Sequence, residues 1–125
     1  IMTVKLVLLK SGEDIITDVT EMIVGEEGSI ENPKKVIGYF FDKPCIVKLK
    51  EGQQPTENKS AFQVSMFPWM PLSNDSRIPV PADWLVTLVE PKEKLKTMYL
   101  EDVVGNGKGN KDSSSDNESN TDKSD

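Results

Sequence analysis

The stretch TVKLVLLKSGEDIITDVTEMIV, running from Thr3 to Val24, decides the fold. Its first half alternates, with Val4, Leu6 and Leu8 on one face of an extended run. Lys10-Ser11-Gly12-Glu13 then carries turn chemistry, and the apolar period resumes through Ile15, Ile16, Val19, Met22 and Ile23. Two apolar runs around a short glycine turn predict a β-hairpin.

Working outward, the period stays at two. Gly25-Glu26-Glu27-Gly28 reads as a loop, and Asn32-Pro33 as a break, since proline donates no backbone hydrogen bond and restricts the residue before it. Val36–Phe41 and Cys45–Leu49 are short β-rich runs separated by Asp42-Lys43-Pro44, a turn or bulge. Glu51–Ser60 is a polar loop. Ala61–Met66 alternates again, Ser73–Arg77 forms a polar turn, and Trp84–Val89 closes the series. In that last run Trp84, Val86 and Leu88 lie on one face, with Leu85 and Val89 on the other. A strand apolar on both faces is covered on both. One helix is predicted over about 91–104: Pro91 suits a first helical position, and Leu95, Met98, Tyr99 and Val103 form a stripe. The glycines from Gly105 onward stop it. Residues 105–125 contain no apolar side chain and carry three lysines against five carboxylates. Such a segment cannot offset the entropy of ordering and is expected to be a disordered tail, leaving 1–104 as one domain.

Composition narrows the function. The 125 residues carry a net charge of −6, one arginine (Arg77) and no histidine. The commonest general base and metal ligand is absent, and the single Cys45 leaves no intramolecular disulfide or cysteine-cluster metal site. Carboxylate neighbours such as Asp14 with Asp18 and Glu26 with Glu27 lie beside turns, where solvated acids are ordinary. The expectation is a non-enzyme with no catalytic residue, metal, cofactor or small-molecule substrate. No stretch approaches the ~18 apolar residues needed to span a bilayer, and no secretory leader is evident. Ile1 precedes Met2, which points to Met2 as the natural start. The chain is therefore expected to be cytoplasmic and free of membranes.

Two surfaces stand out. Lys34-Lys35, with Asn32 and Tyr39 nearby, combine positive charge, an amide and a ring that could stack a base. The segment FQVSMFPWMPL (62–72) packs two phenylalanines, a tryptophan and two methionines into eleven residues. Phe62, Val64 and Met66 face one way, which leaves Phe67, Trp69 and Met70 to be buried elsewhere. Clustered aromatic and methionine side chains favour interface centres, so these residues, with Leu85 and Val89 of the last strand, form the candidate self-association surface, the alternative being one large core that takes them in.

Short strands with tight turns fit a small antiparallel barrel of the SH3 or OB kind. Val4-Lys5-Leu6-Val7-Leu8-Leu9-Lys10-Ser11-Gly12-Glu13 resembles the first strand and turn of Sm/LSm proteins. The span to Val104, including FFDKPCIVKLK (40–50) and the Trp84 strand, resembles the Sm-like proteins of marine cyanophages known from ocean metagenomes. The resemblance implies a mainly β, five-stranded antiparallel Sm-like barrel with a C-terminal helix. It also implies a homo-oligomeric ring of roughly five to seven subunits, with single-stranded RNA as ligand. The chain departs from the family in three places. Ile23 and Glu27 stand where Sm proteins have their RNA-contacting Asp and Asn, and Ser76-Arg77-Ile78-Pro79-Val80-Pro81 replaces the Ile-Arg-Gly-like turn, leaving Arg77 as its basic residue. The helix lies at the end of the chain, whereas Sm proteins usually begin with one. The alternative is a structural or protein-interaction ring that binds no nucleic acid.

Overall fold

The computed structural model describes residues 2–50 and 63–105. The 51–60 loop, Ala61, Phe62 and the tail beyond Gly105 lie outside the described residues. The chain is mainly β, with six strands among the described residues: β1 (Val4–Leu9), β2 (Asp14–Val24), β3 (Lys35–Leu49), β4 (Val64–Pro68), β5 (Arg77–Pro81) and β6 (Leu85–Val89). All pairings are antiparallel, in the order β4-β3-β2-β1-β6, and β5 also pairs with β3. The sheet is open: β4 and β6 end the order and are not paired with each other. This differs from the expected five-stranded barrel both in closure and in strand number.

The Lys10–Glu13 turn closes the predicted hairpin, with Leu9 N–H donating to Glu13 O at 3.0 Å. Its buried residues are Val4, Val7 and Leu9, while Leu6 and Leu8 are only half-buried. Simple alternation therefore picked the less buried face. β2 and β6 pair the two backbone edges of β1, and the side chains it sends into the main core are Val7 and Leu9. They meet Ile15, Phe41 and Val80, with Val19, Tyr39, Ile46, Trp69, Leu85 and Leu88 packed around them.

Residues 35–49, read as two runs, form one strand with a corner. Ile16 pairs with Cys45 but Asp18 with Asp42, so Lys43 and Pro44 together oppose Thr17. This is a β-bulge, which bends a strand and increases its twist. Lys43 takes a positive φ of 51° there, and the buried Thr17 hydroxyl donates to Asp42 O at 2.9 Å. Before the corner, Gly38–Asp42 pairs with β5; after it, Cys45–Leu49 pairs with β4. β4 and β5 thus lie along the same side of one bent strand, separated by the loop Trp69–Ser76.

β5 falls where the sequence reads as a turn, and Trp84 belongs to a short 3-10 turn (Ala82–Trp84) rather than to the last strand. Among the described residues the chain divides after Pro91. In the second unit α1 spans Glu93–Tyr99 and widens into a π-helical turn over Leu100–Val104. The helix thus begins after Pro91, with Lys92 as its N-cap. Leu95 and Tyr99 of its predicted stripe are buried. Gly105 keeps helical dihedrals, and its N–H donates to Leu100 O at 2.8 Å.

Candidate nucleic-acid and self-association surfaces

Beyond Asp18, where β1 begins, and before Gly38, where β5 ends, β2 and β3 continue as a two-stranded ribbon. Its tip is fixed by Gly25, whose φ of +94° is open to glycine. A Cβ at that position would lie 2.1 Å from Pro33 O. Glu26 N–H donates to Asn32 O at 2.8 Å, and Asn32 N–H to Ser29 Oγ at 2.9 Å. Lys34 and Lys35 stand at this tip. Lys34 Nζ pairs with Glu27 Oε1 at 3.1 Å; Lys35 opens β3, exposed, opposite Val24.

Tyr39 lies further along β3, half-buried and packed against the core, opposite Val80 and Glu21. Arg77 faces Asp42 across the β3–β5 ladder, its Nη1 3.8 Å from Asp42 Oδ2. Its guanidinium carbon sits 4.6 Å from the Phe40 ring centroid, a cation–π arrangement. At about 3.3 Å per residue, the seven residues from Lys35 to Asp42 place the lysines roughly 20 Å from Arg77. The four candidates therefore line a stretch of β3 rather than a single pocket.

Of the self-association candidates, Phe62 lies outside the described residues. Val64 and Met66 are half-buried in β4, and Phe67 beside them is 52% exposed. Met70 and Val89 are exposed, and Leu85 is half-buried against the core. Trp69 finds a place in its own chain. Its ring lies 6.0 Å from that of Phe41 at 45°, its N–H donates to Pro44 O at 2.9 Å, and its indole Nε1–H donates to Glu13 Oε1 at 3.3 Å. Glu13 in turn accepts from Ser11 Oγ at 2.8 Å. The loop that follows holds Leu72 fully exposed. Exposed Leu72 closes the 62–72 cluster and exposed Val86 lies on the last strand, and neither was among the self-association candidates; exposed Ile30 stands among turn residues, where no periodicity marks it.

Cys45 is buried, which pushes its thiol above the ordinary value and keeps it neutral near pH 7. Among the described residues no three His, Cys, Asp or Glu side chains group to hold a metal ion, and no helix is long and apolar enough to cross a membrane. Neither a protein-family model nor a curated protein matches the sequence.

Proposed function

We propose that this chain is a non-enzymatic, Sm-like module of cyanophage type that assembles with copies of itself into a ring and handles single-stranded RNA in the host cytoplasm. The observation that carries the assembly is the open sheet. Among the described residues β4 and β6 each have one unpaired side, and Phe67, Val86 and Val89 stand exposed on them. Bare apolar edges invite pairing with another chain, and a ring covers them. RNA contact is supported by the hydrogen-bonded ribbon tip that presents Lys34 and Lys35, and by Arg77 placed over Phe40.

A protein-interaction ring that never touches nucleic acid is the second reading. Lys34 is engaged by Glu27, Arg77 stands near Asp42, and the chain carries a net charge of −6. Filter binding to oligo-U and oligo-A across a salt series separates the two. The first reading predicts salt-sensitive affinity, weakened in Lys34→Ala/Lys35→Ala, with the slope of log K against log salt reduced by about two at most. No binding at low salt would select the second reading, and an unchanged slope in the double variant would clear the two lysines of the role.

A further inference from the structure

Resting on the self-association proposed above, we infer that the β2–β3 ribbon of one copy lays its apolar face on the side chains that the end of β3 and β4 present in the next. Both surfaces lie where the core-facing side of the sheet runs out. Residues paired across an antiparallel ladder share a face, and neighbours along a strand alternate. Tyr39 and Ile46, both packed against the core, mark the core-facing side on either side of the β3 corner. Tyr39 pairs with Glu21, and Ile46 with Phe67.

On the ribbon, Ile23 shares the face of Glu21, and Val36 lies opposite Ile23. The extra residue of the bulge at this point is Ile37, on β3, so the alternation of β2 runs past it unbroken. Ile23 and Val36 are 45% and 37% exposed, and Glu21 beside them is exposed too. Beyond the corner, Phe67 opposite Ile46, Lys48 opposite Ser65 and Lys50 next to Gln63 continue the same side. Phe67, Lys48 and Lys50 are all exposed.

The next copy is the occupant that fits. One surface sets apolar side chains beside a carboxylate, and the other sets an apolar ring beside two lysines. The surroundings keep those signs. Residues 21–35 hold Glu21, Glu26, Glu27 and Glu31 against Lys34 and Lys35, whereas residues 43–50 hold Lys43, Lys48 and Lys50 with no acid, and β4 carries no charge. Among the described residues Glu21, Lys48 and Lys50 have no ion-pair partner in their own chain. Residues 51–60 and 106–125 contain no valine, leucine, isoleucine, methionine or aromatic residue, so neither segment can supply an apolar cover. Val36 and Ile46 stand roughly 30 Å apart along one strand, so the contact joins different copies. Because the joined surfaces differ, it is heterologous and repeats from copy to copy.

The test co-expresses two full-length variants, Ile23→Cys and Phe67→Cys, and oxidises the purified mixture with diamide, while light scattering gives the mass of the wild type. A covalent dimer should form in the mixture and not from either variant alone. Glu21→Lys added to the first chain should slow cross-linking by about three- to tenfold, and Lys48→Glu added to the second should recover most of the rate. If Ile23→Cys fails to fold, Val36→Cys presents the same face. An oligomer in which the two cysteines do not cross-link, or in which either variant cross-links equally fast with itself, overturns the ribbon contact and leaves self-association standing; so does a rate unmoved by Glu21→Lys. A monomeric wild type overturns both.

Discussion

Trp69 shows how one residue can serve two readings. In the sequence it belongs to an apolar cluster with no evident home; in the fold its ring packs at a tilt against Phe41 and its indole N–H donates to Glu13. Trp69→Ala should therefore destabilise the fold by about 2–3 kcal/mol, somewhat below the figure for a fully buried tryptophan. Trp69→Phe, which keeps the ring contact and loses the hydrogen bond, should cost about 1 kcal/mol or less. Urea titration distinguishes them, and equal losses in the two variants would show that the ring contact with Phe41 contributes little. Cys45 makes a second prediction. Burial raises its thiol pKa above the ordinary value in the fold, so on raising the pH the unfolded chain loses the proton first. Its contribution is complete below the ordinary thiol range and declines as pH climbs through 9 toward the folded value. Replacing Cys45 by Ala should remove that component, so the urea midpoint should fall less between pH 8 and pH 10 than in the wild type. Identical falls would refute the assignment.

At the scale of elements, the β2–β3 ribbon depends on its tip. Gly25→Ala would force a side chain into a left-handed φ and onto Pro33 O, and should cost at least about 1 kcal/mol. It should also speed exchange of the Glu26 amide, which now bonds to Asn32 O; unchanged exchange would mean the tip tolerates the side chain. The same scale shows what could be read in advance. β2 was legible to its ends because eleven residues of β-rich sequence begin just past a glycine turn and stop at Gly25. The bulge at Lys43-Pro44 was one of two alternatives, and only the pairing of Thr17 against it decides. β5 was hidden, since Pro79 and Pro81 read as loop until it is known that their nitrogens point away from β3. The candidate site was legible in its residue types and not in its layout. Nothing in the sequence around Lys34 foretells Glu27 as its partner, and nothing around Trp69 foretells Glu13, because both pairings depend on how the chain turns back on itself.

For the whole molecule, an open sheet whose end strands carry exposed apolar side chains is hard to reconcile with life as a monomer. Small domains bury a limited fraction of their surface, and here Phe67, Met70, Leu72, Val86 and Val89 are left outside. Some can be spared as isolated surface residues; the combination of apolar side chains with unpaired backbone donors on the same strand cannot be spared so easily. Assembly is thus the central claim. Light scattering on the purified full chain at micromolar concentration tests it most directly. The account predicts a single species of roughly five to seven times the 13.9 kDa chain. A well-behaved species at 13.9 kDa would contradict it.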